Sequence, residues 1–177
     1  MRLILPLLML AAPAFAEDFS EYGTTNPEEM TLERLVERAR RGDVDMIVCA
    51  NGYLATKGGR HEQARVIFEA CANAGWTAAM NWMSQLDHNG LGADEDPDRA
   101  TEWSRRAAEL GDPVGQFNHG IDMMRGRGVA QDVDAGRALV DQAAEQGLGI
   151  AQRLQEAEYD LDAVTPDADG WKYAPLF

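Results

Sequence analysis

Between Trp76 and Gly147 the sequence repeats itself. WTAAMNWMSQLDHNGLGADEDPDRATEWSRRAAELG is followed directly by DPVGQFNHGIDMMRGRGVAQDVDAGRALVDQAAEQG, and the copies start at Trp76 and Asp112, 36 residues apart. With no gap, Gly90 falls on Gly126, Gly92 on Gly128, Asp96 on Asp132, Asp98 on Asp134, Ala107-Ala108-Glu109 on Ala143-Ala144-Glu145, and Gly111 on Gly147. Agreement at turn and small-residue positions over a period of this size is the mark of a solenoid, in which one supersecondary unit is stacked on its neighbours.

The unit is a pair of helices. A first helix, Thr77–Asp87 or Pro113–Met124, runs into a Gly-x-Gly turn, where glycine accepts the left-handed conformation that closes a helix. After an irregular loop, Asp96-Pro97 or Asp132 opens the second helix as a cap. That helix carries Ala100, Trp103 and Ala107 in one copy and Gly136, Leu139 and Ala143 in the next. Small residues there allow close helix approach, with the bulky one filling the groove. No segment alternates like a half-buried strand, so the fold class is all-α.

The pattern weakens on both sides. Residues 17–26 have no periodicity and read as a flexible leader, and Asn26-Pro27-Glu28-Glu29 predicts a helix start. Leu32, Leu35, Val36 and Ala39 form the apolar stripe of that capping helix, over 27–42. A degenerate unit spans 43–75, with Ala64 aligned to Ala100, Cys71 to Ala107 and Gly75 to Gly111, and a front half shortened around Gly58-Gly59. Regular units follow at 76–111 and 112–147, and a fourth front half at 148–159 aligns Ala151 with Gly115 and Ala79. Together 27–159 form the solenoid. The tail, 160–177, is acidic, contains Pro166, Gly170 and Pro175, and carries Trp171, Tyr173, Leu176 and Phe177; it is expected to strap back over the last repeats.

Residues 1–16, MRLILPLLMLAAPAFA, have the charge, apolar run and Ala-x-Ala end of a secretory signal peptide. No cysteine lies near the cleavage point to carry a lipid, and no other apolar run is long enough to cross a membrane. The expected location is periplasmic or secreted. The formal charge of −14 becomes −15 without Arg2. So acidic a surface disfavours nucleic acid and anionic lipid, favours solubility, and would steer a basic partner.

The spacing A…G-x-G-V…D…A…AAE-x-G, at Gly115, Gly126-Arg127-Gly128-Val129, Asp132 and Ala143-Ala144-Glu145-Gln146-Gly147, resembles the Sel-one-like repeat, a relative of the tetratricopeptide repeat. The preceding copy matches through Gly90-Leu91-Gly92, Asp96, Ala100, Trp103 and Ala107-Ala108-Glu109. The resemblance covers about Asp43 to Tyr159. It implies a short right-handed α/α solenoid of about three helix pairs plus capping helices, whose first helices line a concave groove for a protein partner. Cys49-Ala50-Asn51-Gly52 and Phe68-Glu69-Ala70-Cys71 look like the secreted cysteine-rich branch, in which a disulfide staples each helix pair and some members are described as penicillin-binding or weakly β-lactamase-like. Here only one unit has cysteines, because Ala107 and Ala143 occupy the positions matching Cys71, and its turn is shorter.

The two cysteines also pair on their own terms. Cys49 and Cys71 are equidistant from Arg60, beside the Gly58-Gly59 turn, so an antiparallel hairpin sets them level, and Ala50, Ala70 and Ala72 let the backbones close in. In an exported protein a disulfide follows; the alternative is two unlinked buried thiols.

Other candidate chemistry thins out on inspection. His61, His88 and His119 form no ligand cluster, and His61-Glu62 lacks the second histidine of a zincin; His119 aligns with Met83 and reads as a packed interior residue. Asp94-Glu95-Asp96-Pro97-Asp98 and Asp167-Ala168-Asp169-Gly170 lack the pattern of a calcium loop. Ser20, Ser84 and Ser104 are not followed by lysine at the spacing β-lactam chemistry needs. No cofactor motif, metal site or catalytic residue is expected. What remains is the groove. Aligned on the tetratricopeptide pattern, Asn81, Gln85 and His88 face it in one copy and Phe117, Ile121 and Met124 in the other. The second, apolar set either receives a partner's hydrophobic anchor or is covered by Trp171, Tyr173 and Phe177. The expected function is an exported, non-enzymatic scaffold that holds a peptide or protein segment. The alternatives are a cell-wall or penicillin-recognising activity and a structural subunit of an envelope complex.

Overall fold

A computed structural model describes residues 30–166. Its helices run α1 Leu32–Arg40, α2 Met46–Lys57, α3 His61–Asn73, α4 Thr77–His88, α5 Pro97–Glu109, α6 Pro113–Arg125, α7 Val133–Glu145 and α8 Gly149–Glu156, followed by a 3-10 turn at Leu161–Ala163. No strand occurs among the described residues. Each helix packs on its sequence neighbours, the pairs α2–α3, α4–α5 and α6–α7 forming the repeating layer of a short α/α solenoid.

The repeat is visible in individual hydrogen bonds. Trp76 N donates to Cys71 O, Asp112 N to Ala107 O and Leu148 N to Ala143 O, each at 3.1 Å, across Gly75, Gly111 and Gly147 at φ of +96°, +83° and +88°. This is the six-to-one bond of a glycine-terminated helix. Asp43 N donates to Arg38 O in the same way across Gly42 at +73°, so α1 ends like the second helix of a pair. The loop of each full unit also repeats: Asp96 N reaches Asp87 O and Asp132 N reaches Met123 O, both at 3.0 Å. Asp96 and Asp132 cap α5 and α7 by accepting from Arg99 N and Ala135 N, each at 3.0 Å.

The second glycine of each Gly-x-Gly sets how one unit sits on the one before. A Cβ on Gly92 would lie 2.7 Å from the carbonyl carbon of His61, and one on Gly128 would lie 2.1 Å from Pro97 O. His61 and Pro97 open α3 and α5, so each turn presses on the start of the preceding second helix.

The aligned positions Ala64, Ala100, Cys71, Ala107 and Ala143 are fully buried. Cys49 and Cys71 form a disulfide, with Cα atoms 6.0 Å apart, that staples α2 to α3. Asn26 and Pro27 lie outside the described residues, and α1 starts at Leu32, capped by Thr31 Oγ1 accepting from Arg34 N at 3.4 Å. At the other end Glu158 and Tyr159 adopt φ of 52° and 63° and stop α8. The chain then turns back: Arg125 donates to Leu161 O at 2.6 Å, and Val164 is buried with Phe117, Leu148 and Leu154. Residues 1–16 and the tail residues Trp171, Tyr173, Leu176 and Phe177 lie outside the described residues.

Candidate functional site

Three buried carboxylates tie the units together. Asp87, near the end of α4, is wholly buried; it accepts from Arg65 of α3 and from Arg99 of α5, the latter through Nε at 2.8 Å and Nη2 at 2.5 Å. Asp112, the cap of α6, accepts from Gly115 N at 2.8 Å, Thr77 Oγ1 at 2.7 Å and Asn81 Nδ2 at 2.9 Å. Asp122 of α6 accepts from Thr101 Oγ1 at 3.0 Å and Ser104 Oγ at 3.2 Å, and lies 3.1 Å from His88 Nε2. A buried carboxylate is tolerated only when such partners replace its hydration.

The last cluster brings Ser104, His88 and Asp122 together, but not as a nucleophile with its base. The serine hydroxyl faces the carboxylate and, at 2.9 Å, the Thr101 carbonyl, rather than a histidine nitrogen. A general base must reach the proton it removes. All three side chains are buried. The cluster locks α4 to α5 and α6. His119, one turn before Asp122, is also buried. Desolvation holds its pKa below the ordinary histidine value, against the opposing pull of Asp122. Its Nδ1, like that of His88, finds no partner among the described residues, so the packing role expected for His119 holds without full hydrogen bonding.

These clusters relocate the residues expected to line a groove. Phe117 and Ile121 are fully buried and Met124 nearly so, in one core with Val140, Ala143, Leu148 and Leu154. The reason is the crossing of α6 and α7. A Cβ on Gly120 would lie 2.7 Å from Gly136 O, and one on Gly136 would lie 2.6 Å from Gly120 O. Backbones this close make the stripe containing Gly120 the inside of the helix pair. Asn81 and His88 occupy the equivalent stripe of α4 and are buried on Asp112 and Asp122. Only Gln85 keeps partial exposure. The contrast between the two copies is therefore one of stacking chemistry: a polar lock in one and an apolar core in the other.

Three of the exposed large apolar residues lie together on α2, which sequence reasoning passed over, while Met30, Leu110 and Val133 are exposed elsewhere. Met46, Ile47 and Leu54 are 46, 44 and 60% exposed, and Ala50 is exposed between them. Val48, Cys49, Gly52 and Ala55, on the opposite side of the helix, are buried. Tyr53 meets Trp82 of α4 edge to face at 5.6 Å, Trp82 stacks on Phe68 at 5.7 Å, and the Lys57 ammonium lies 5.1 Å from the tyrosine ring centre and 5.5 Å from the tryptophan's. Beside Leu54 an open depression is bounded by Leu32, Glu33, Asn51, Ala55, Gly58 and Arg60. The signal was available in the sequence: twelve residues, MIVCANGYLATK, with one charge. A strictly buried helix has the same composition, so exposure was not legible. No group of three or more potential metal ligands occurs among the described residues, and no helix among them is long and apolar enough to cross a membrane.

A family model described as Sel1 repeat matches residues 77–112 and 113–148. No curated protein matches the sequence. Among solved structures, the chain is similar to a Sel1 repeat protein from Oxalobacter formigenes, with 24% identity and a TM-score of 0.58 over 71% of this chain and 51% of that one. It is also similar to a protective antigen present in uropathogenic Escherichia coli strains displaying an SLR fold, with 22% identity and a TM-score of 0.52 over 83% of this chain and 38% of that one. The chain thus spans about half the length of the first and less of the second. These likenesses concern the fold.

Proposed function

The chain carries two Sel1 repeats within an α/α stack, and on that premise we propose that it is a non-enzymatic interaction scaffold, working outside the cytoplasm, that binds a protein segment on the outward face of α2. The observation that carries this reading is the exposure of Met46, Ile47, Ala50 and Leu54 along one side of a single helix. α4 is enclosed by α3, α5 and α6, whereas α2 packs chiefly on α1 and α3 and keeps an apolar face in water. Contiguous exposed apolar surface marks contact sites. Tyr53 of the same helix is held against Trp82, Phe68 and Lys57, and a helix fixed in this way lowers the ordering cost of binding. The Cys49–Cys71 bond anchors the same helix from its buried side and suits an oxidising compartment.

The reading is tested by capture from the compartment in which the protein resides, using wild type and Leu54→Asp. Leu54 supports no internal packing that its exposure would not tolerate losing, so the variant should melt like wild type while losing the captured protein. Equal capture by both proteins would place binding elsewhere.

A further inference from the structure

Asparagine is followed by glycine twice in the sequence, at Asn51-Gly52 and at Asn89-Gly90. Such a pair carries its own chemistry: the glycine amide nitrogen can attack the asparagine side-chain carbonyl, and no Cβ on the glycine obstructs it. The fold separates the two pairs chiefly at the backbone. Their side chains are held alike, Asn51 Nδ2 donating to Ile47 O at 2.8 Å and Asn89 Nδ2 to Gln85 O at 2.7 Å. Gly52 is buried in the middle of α2, its N–H committed to the helical ladder, and a Cβ there would lie 2.7 Å from the Phe68 ring. Gly90 follows the last turn of α4 at a φ of +60°, and no hydrogen bond among the described residues takes up its N–H. The glycines that end α1, α5 and α7 differ: Gly42, Gly111 and Gly147 each donate to the carbonyl of Ala39, Ala108 or Ala144 at 2.9 Å. Asn89 itself is exposed.

We infer that Asn89 is a site of spontaneous deamidation in the folded protein and that Asn51 is not. The amide nitrogen of Gly90, having lost its proton to hydroxide, attacks Cγ of Asn89. The new N–C bond forms, the Cγ–Nδ2 bond breaks, and the leaving nitrogen takes a proton from water to depart as ammonia. A succinimide ring remains. Water then opens it. Cleavage at Cγ leaves aspartate, and cleavage at the backbone carbonyl leaves isoaspartate, with the chain running through the side chain. The sum is amide plus water to acid plus ammonia, with no oxidant and no cofactor. Both products load the joint between units. Aspartate puts a negative charge at the C-terminal end of α4, where the helix dipole is already negative. Isoaspartate lengthens the backbone where it is closely bonded: Leu91 N donates to Leu86 O at 2.9 Å, Asp96 N to Asp87 O at 3.0 Å, and Arg127 of the next unit to His88 O at 2.9 Å. The same loop carries Gly92, which presses on His61 at the start of α3.

Peptide mapping by mass spectrometry, on folded protein held at mildly alkaline pH, tests this. The peptide containing Asn89 should gain the mass of an amide-to-acid exchange at least about tenfold faster than the one containing Asn51, because reaction at Gly52 waits on opening of the helix. In denaturant the two rates should converge. Aged protein should contain isoaspartate at residue 89, read by enzymatic methylation of the isoaspartyl carboxylate, and should melt below fresh protein. Asn89→Gln, whose longer side chain closes the ring poorly, should keep its mass and its melting temperature. Equal rates in the folded protein, or a folded Asn89 that stays intact while the denatured chain converts, would overturn the inference. The same mass gain in Asn89→Gln would overturn it too, and conversion with an unchanged melting temperature would contradict the loading of the joint.

Discussion

Among the described residues, Asp122 accepts from the Thr101 hydroxyl and pairs with His88 Nε2, joining α4, α5 and α6. Asp122→Ala should therefore cost about 2–4 kcal/mol, because buried donors are left unmade as well as a bond lost; urea denaturation of the variant and wild type measures this. Neighbouring His119 gives the fold a pH dependence whose sign follows from burial. Its folded pKa lies below its ordinary value because desolvation disfavours the charged ring. The unfolded chain thus binds a proton more readily than the native one. The stability linked to this group is fully present above the unfolded pKa of about 6.5 and is lost as pH falls below it. His119→Met, which installs the residue found at the aligned position Met83, should flatten the fall in melting temperature between neutral and mildly acid pH. An identical slope in both proteins would remove His119 as its source. At this scale the sequence was legible for the cysteines, which sit level across a short turn. It was not legible for Asp87, Asp112 and Asp122. Asp87 aligns with Met123 and Asp122 with Leu86, so no period announces either, and an acid near a turn looks like an exposed one.

Elements are set by glycines, of which two kinds behave differently. Gly147 closes α7 at a φ of +88° with nothing within 4 Å of a would-be Cβ, whereas Gly128, at +68°, presses on Pro97. Gly147→Ala should cost about 1–2 kcal/mol, the left-handed penalty alone. Gly128→Ala should cost clearly more, since turn and preceding helix must also separate; paired denaturation curves decide it, and equal costs would contradict the stacking role. The hairpin α2–α3 has a different support. Replacing both cysteines with alanine should destabilise the fold by about 3 kcal/mol through loop entropy, read as a lower denaturation midpoint with helicity retained. Helix spans and turns were readable in the sequence to within a residue or two because capping aspartates and left-handed glycines act locally. The cap of α1 at Thr31 was not, because a lone threonine ahead of the Leu35, Val36 and Ala39 stripe gives a weaker local signal than an Asp-Pro pair or a glycine turn.

At the scale of the molecule, the stack is a row of layers, each contacting mainly its neighbours. What a stripe of residues does then depends on which layer it belongs to. The stripe Phe117–Ile121–Met124 lies within the closed α6–α7 pair, its counterpart Asn81–His88 makes the joint between layers, and α2 at the edge of the stack keeps an apolar face outward. A sequence alignment superposes the first two and assigns them one role. The distinction arises from tertiary contacts 31 to 34 residues apart in sequence, which periodicity does not report. The α6 stripe is thus interior, and the α2 face is accessible. The most direct measurement is the thermal unfolding of Phe117→Asp beside Leu54→Asp. Phe117→Asp should lose the cooperative transition or at least about 4 kcal/mol of stability, having buried a charge in a core, and Leu54→Asp should stay within about 0.5 kcal/mol of wild type. A Phe117→Asp protein that melts like wild type would contradict the account.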